Sequence, residues 1–133
     1  MKLQIITMQC IGKVPSKKNR MKVYGNRMVK DKAVKTFESE LKSHAKSLME
    51  CIQSPPFDGP VEMDLEIITG DKRRRDLQNY FGSICDALNG VVYEDDSQIE
   101  IITAQKLYKK GIWSYTITIK PIKGDDNDND KKR

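Results

Sequence analysis

Residues 71–99, DKRRRDLQNYFGSICDALNGVVYEDDSQI, concentrate the side chains that could do chemistry. Three arginines, Arg73, Arg74 and Arg75, run directly into Asp76; Gln78, Asn79 and Asp86 follow, then the pair Asp95-Asp96. Hydrolysis of a phosphodiester adds negative charge to a group that is already anionic. A divalent cation offsets that charge and lowers the pKa of an attacking water. Mg²⁺ takes hard oxygen ligands, typically one or two carboxylates with several waters. Guanidinium groups supply bidentate phosphate contacts. Aspartates among arginines therefore suit a metal-assisted reaction on a phosphate ester. Each residue also has a bland role: Asp76 as a helix N-cap, Asp86 on a solvated face, Asp95-Asp96 in a turn, the arginines as a solvated run.

Other chemistries are poorly served. His44 is the only histidine, and Cys10, Cys51 and Cys85 are widely spaced with no Cys-x-x-Cys pair. A zinc site and most Ser-His or Cys-His nucleophile schemes are thereby disfavoured. The thiols are expected to be free and buried, and His44 to lie at the surface or rim. No apolar run is long enough to span a bilayer, and the start lacks a signal-peptide pattern, so the expected compartment is the cytoplasm.

The net charge is +5. The last ten residues, GDDNDNDKKR, contribute −1 and leave +6 on the body, which suits a polyanionic partner. The stretch GKVPSKKNRMKVYGNRMVKDK adds Lys17, Lys18, Arg20, Lys22, Arg27 and Lys30. Lys17, Lys18 and Arg20, with Arg73–Arg75, form the expected DNA-binding track. Phosphate contacts of this kind position a nucleic acid without reading its sequence. Tyr24 is assigned to packing rather than base stacking, and Trp113 and Tyr115 to core or dimer interface.

The elements that must position these residues follow from periodicity. Residues 2–11 read as a strand, and 21–24 with 27–29 as a small hairpin. Val34, Phe37, Leu41, Ala45, Leu48 and Ile52 recur at helical spacing up to the break at SPPFDGP. Residues 61–69 alternate as a strand with one buried face. A second helix is expected from about Asp76 to Leu88, with Leu77, Phe81, Ile84 and Leu88 inward and Asp76, Asn79 and Asp86 outward. Asp76 and Asp86 are then about 15 Å apart along the axis, too far to share one ion. Asp95-Asp96 would have to return beside Asp76. Two strands follow, about 98–107 and 112–121, with Lys109-Lys110-Gly111 expected to turn a hairpin. The fold class is α+β, an α/β sandwich of order β-α-β-α-β-β: a small mixed sheet with two helices on one face. One domain over residues 1–123 is expected, and a disordered polar tail over 124–133.

The segment resembles the signature of the RusA-like Holliday junction resolvases. That pattern is an Arg-rich stretch, Asp-x-Asp-Asn, a lysine, Asp-Ala-Leu, and an Asp-Asp pair before a hydrophobic residue. Matching positions here are Arg73-Arg74-Arg75, Asp76-Leu77-Gln78-Asn79, Asp86-Ala87-Leu88 and Asp95-Asp96-Ser97-Gln98-Ile99, and Pro15-Ser16-Lys17-Lys18-Asn19-Arg20 resembles the family's opening. The resemblance covers about residues 3–121. It implies a homodimeric Mg²⁺-dependent endonuclease (Mn²⁺ as a substitute) that cuts four-way junctions or other branched DNA in recombination and repair. Asp76, Asp96 and Asp95 would be catalytic; Asp76, Asp96 and Gln78 would face the metal; Asn79 and Asp86 would be structural or supporting.

Two departures stand out. Gln78 replaces a second aspartate and Gly82 replaces the lysine. Gln78 offers a neutral oxygen, so metal affinity should fall; Gly82 removes a cation that would stabilise phosphate charge. Lys106 or the basic loop, and Glu66 or Glu94, are candidate replacements. The alternatives are a catalytically weakened relative that binds branched DNA without cutting, and a dimer module whose basic face takes an acidic protein.

Overall fold

The computed structural model describes residues 4–15, 21–24, 27–30, 32–73 and 77–122, with backbone alone for the two short strands and Asn79. The elements are β1 (Ile6–Ile11), β2 (Met21–Tyr24), β3 (Arg27–Lys30), α1 (Lys32–Cys51), β4 (Val61–Thr69), α2 (Gln78–Leu88), a single 3₁₀ turn (Asp96–Gln98), β5 (Ile99–Tyr108) and β6 (Ser114–Pro121). β1, β6, β4 and β5 form one mixed sheet in that order, and β2 pairs with β3 as a separate hairpin. The α+β class and the expected element order are confirmed.

One face of the sheet is apolar because β4 and β6 alternate. Val61, Met63, Leu65 and Ile67 of β4 and Tyr115, Ile117 and Ile119 of β6 point to the same side and are buried, with Ile6 and Met8 of β1. α1 covers them with Phe37, Leu41, Ala45 and Met49. The rings of Phe37 and Tyr115 lie 5.6 Å apart and tilted, which ties the start of α1 to the start of β6. The other face carries Glu62, Asp64, Glu66, Thr116 and Thr118, with Lys120 3.5 Å from Asp64.

α2 is rotated from the expected wheel. Tyr80, Ile84, Cys85, Ala87 and Leu88 are its buried apolar residues, with Ser83 also buried, while Leu77 and Phe81 are only partly buried. The expected stripe did not include Tyr80, whose ring fills core volume. The outer stripe then carries Gln78, Gly82 and Asp86 at four-residue spacing.

The expected hairpin at 109–111 does not form. β5 lies parallel to β4, and β6 lies antiparallel on β4's other side, so β4 separates the two strands. The connection instead crosses the end of β4: Lys109 N donates to Thr69 O and Gly111 N to Gly70 O, both at 2.9 Å. Gly70 permits that crossing. A Cβ there would meet Trp113 Nε1 at 2.5 Å and Ile112 N at 3.0 Å. Gly70→Ala is expected to cost about 1–3 kcal/mol through overpacking, measurable as a lower urea midpoint with an unchanged m-value.

Smaller differences also have physical causes. β1 begins at Ile6, the first residue with a partner on β6, Ile119. All three cysteines are free, but only Cys85 is buried; Cys10 is half-buried and Cys51 exposed. His44 is exposed as expected. The polar tail from 124 lies outside the described residues. No helix among the described residues is long and apolar enough to cross a membrane.

Candidate active site at the acidic turn

Asp95 and Asp96 stand on a turn that the sequence builds in detail. Asp95 is the N-cap of the 3₁₀ turn: its Oδ2 accepts from Ser97 N at 3.0 Å, and Gln98 at the third position reaches back. This is the reciprocal capping box. Gln98 Oε1 accepts from the backbone N–H groups of Glu94 (2.8 Å) and Asp95 (2.9 Å). Its Nε2 donates to the carbonyls of Phe57 (2.8 Å) and Gly59 (2.7 Å). One amide thus uses both donors and two acceptor sites, fixing the turn to the segment that enters β4. Sequence reading missed this role of Gln98, although Asp95-x-x-Gln98 is the signature spacing of the box.

Tyr93 ties the same turn to α2. Its ring is fully buried, and its Oη donates to Cys85 O at 3.3 Å. Burial first, then the neighbouring Cys85, then the negative charges of Asp96 and Asp95 push its phenol pKa up, so it stays a neutral donor. Glu94, Asp95 and Asp96 are all exposed above it. The Ser97 hydroxyl and then the Ser97 backbone N–H hold the Asp95 carboxyl below its ordinary range. A depressed folded-state pKa means that Asp95 favours the folded turn above its unfolded value. That contribution is lost as pH falls through the lower folded one. Ser97→Ala is expected to return the Asp95 pKa toward the usual carboxylate value, a change read directly by NMR titration of its carboxyl carbon.

The remaining site residues divide by position. Gln78 is exposed in the first turn of α2, and Arg73 is exposed just beyond β4, its N–H donating to Asp71 Oδ1 at 3.1 Å. Asp86 is half-buried near the other end of α2. Asp76, Arg74, Arg75, Lys17, Lys18 and Arg20, and the side chain of Asn79, lie outside the described residues. Tyr93 anchors the acidic turn at Cys85, seven residues and about 10 Å along α2 from Gln78. Within the described part of one chain, Gln78 and the acidic turn therefore flank different ends of α2. No group of three or more His, Cys, Asp or Glu gathers as a metal cage among the described residues. Glu66 sits on the helix-free face, accepting from Gln105 at 3.1 Å. Lys106 lies opposite Ile67, seven residues and about 23 Å along β5 from Ile99. Of the suggested substitutes among the described residues, Glu94 alone adjoins the acidic pair.

The one Cys–His contact does not make a nucleophile. Cys10 Sγ lies 3.5 Å from His44 Nδ1, but burial pushes the thiol pKa up despite a hydrogen bond with Tyr115. An activated cysteine needs the opposite shift. A 410 Å³ groove lined by Lys46, Met49, Pro55, Pro56 and Val91 includes none of the acidic-turn residues.

Residues 12–120, well over half of the chain, match the family described as Endodeoxyribonuclease RusA. The chain belongs to the RusA family. RusA proteins are endodeoxyribonucleases that resolve Holliday junctions and so act on branched DNA. The matched span takes in the opening basic loop, both helices, the acidic turn and all of the sheet except β1 and the last residue of β6. No curated protein matches the chain.

Proposed function

We propose that this RusA protein is a divalent-metal-dependent endonuclease that nicks branched DNA, four-way junctions above all, as a homodimer. The supporting observation is the exposed Asp95-Asp96 pair, held by Gln98 and Tyr93, in a chain of this family. Exposed, rigidly mounted carboxylate oxygens are suitable donors for a hard cation. Asp96, Asp95 and Asp76, with the neutral oxygen of Gln78, would hold Mg²⁺, with Mn²⁺ as substitute. The ion, when bound, would offset phosphate charge and acidify a water. Arg73–Arg75 with Lys17, Lys18 and Arg20 would hold the flanking phosphates, while Asn79 and Asp86 support α2.

The dimer offers a way to complete this set. β5 is an edge strand of ten residues whose outer edge is unpaired among the described residues. Ile101, Ile102, Leu107 and Tyr108 are exposed along it. So long an open edge invites pairing, and a two-fold interface pairs a strand with its own copy in antiparallel sense. Such pairing would set the start of one β5, where Asp95 and Asp96 lie, beside the end of the other. That end adjoins Thr69, Lys72 and Arg73, which lead into α2. Each metal site would then join the acidic turn of one subunit to the Asp76–Gln78 segment of its partner.

The test is incubation of the protein with a synthetic four-way junction and with linear duplex of the same sequence, in Mg²⁺ or Mn²⁺. Paired nicks on opposing strands, specific to the junction and abolished by chelation, are expected. Tight junction binding without nicking in either metal would instead assign the protein as a binder disabled by Gln78 and Gly82.

A further inference from the structure

Opposite the acidic turn, the far end of the sheet carries a cluster of which the family signature and the nuclease chemistry use only Arg73. The connection Lys109–Trp113 crosses β4 and returns to β6, where Gly12 N donates to Trp113 O at 2.8 Å. That bond and those from Lys109 N and Gly111 N to the end of β4 clamp the crossing on both sides, and Ile112 N closes a turn on Lys109 O at 2.9 Å. The result is a stiff rim rather than a free loop. Lys13 Nζ sits 4.6 Å from the centroid of the Trp113 ring, and Lys72 Nζ 5.2 Å from that of Tyr108. Such contacts orient an ammonium while leaving part of its N–H donor capacity directed away from the ring.

Lys13, Lys72, Arg73, Lys109 and Lys110 are all exposed there, against one acid among the described residues of the rim, Asp71. Between them stand two apolar side chains. Ile11 is 95% exposed and Ile112 51%. Ile11 pairs with Ser114, two residues on from Ile112, so the two belong to one strand-end surface. Uncovered isoleucines flanked by lysines match a ligand with an outer polyanionic backbone and inner apolar faces. Nucleic acid with unpaired bases has that chemistry: the phosphates take cations, and exposed base faces take apolar side chains.

We infer that the rim Ile11–Lys13 and Lys109–Trp113 is a second DNA contact, with Lys109 and Lys110 on phosphates and Ile112 against unstacked bases at the branch point. This rests on the proposed action on branched DNA. Through Lys72 and Arg73 the rim is continuous with the segment leading into α2. A stiff loop also loses little freedom on binding.

The experiment measures anisotropy of a labelled four-way junction, and of linear duplex, from 50 to 300 mM salt with the full chain, in three forms: wild type, K109A/K110A and I112S. For K109A/K110A the slope of log affinity against log salt is expected to fall by about 1.8, two phosphate contacts at about 0.9 each. For I112S, junction affinity is expected to drop several-fold with the salt slope and duplex affinity unchanged. All three positions are exposed, so unfolding is not expected, and matching melting curves check it. Wild-type slopes and affinities in both variants, with wild type binding junctions normally, would overturn the second contact and leave the nuclease reading standing. Absence of salt-sensitive DNA binding by the wild type would overturn both.

Discussion

Asp96→Asn is expected to slow junction nicking by about 10²-fold or more in Mg²⁺, the scale on which loss of one electrostatic group at a reacting phosphate acts. Asparagine keeps the shape and a carbonyl oxygen but loses the charge that attracts a cation. Asp96 is exposed, and neither the capping bond to Ser97 N nor the Gln98 bonds run through its side chain. Folding should therefore be nearly unchanged, and junction affinity in chelator should hold or rise, because a negative charge leaves a DNA-facing surface. Single-turnover nicking rates and equilibrium binding separate these effects. A rate equal to wild type would remove Asp96 from the proposed site.

Gln98→Leu is expected to damage both stability and activity, for a different reason. The substitution leaves the carbonyls of Phe57 and Gly59 without their Gln98 donor and the N–H groups of Glu94 and Asp95 without their acceptor. Some of these groups would recruit water. Even so, the loss of four bonds at a half-buried residue should cost about 2–4 kcal/mol. In a domain of this size that lowers Tm by roughly 6–16 °C. Nicking should fall by at least about tenfold, since groups that orient metal ligands typically carry that much. Gln98→Glu keeps the acceptors but cannot donate to the carbonyls, so it should be nearly as harmful. Calorimetry and nicking rates measured on the same preparations check both effects. A Gln98→Leu protein with wild-type Tm would show that the acidic turn is held by something else.

Much of the fold follows from local pattern. The alternation of β4 is strict enough to fix its buried face, and the stripe Val34–Phe37–Leu41–Ala45 marks α1 because nothing polar interrupts it. Strand adjacency is another matter. β5 and β6 are joined by a short Gly-containing link, and local chemistry favours a hairpin; the parallel pairing of β5 on β4 depends on burial across the whole sheet. Tyr80 shows the limit of a binary pattern, since a ring large enough to fill the core also carries a hydroxyl. In the site, the types of Asp95 and Asp96 could be read from the sequence. Their mounting was legible only as the Asp95-x-x-Gln98 spacing. The reach of Gln98 to Phe57 and Gly59, 41 and 39 residues away, is a tertiary fact. So is the Tyr93 link to Cys85, which sets the acidic turn two helical turns from Gln78.

Subunit mixing tests most directly whether the acidic turn of one chain and the start of α2 of another make one site. Asp76→Asn and Asp96→Asn proteins, each inactive alone, are combined under conditions that allow exchange, and nicking of a four-way junction is followed. A site shared between subunits predicts restored nicking. About half of the dimers would be mixed, and each would carry one intact site. If the mixture stays as inactive as its components while native mass spectrometry shows mixed dimers, the shared site is contradicted.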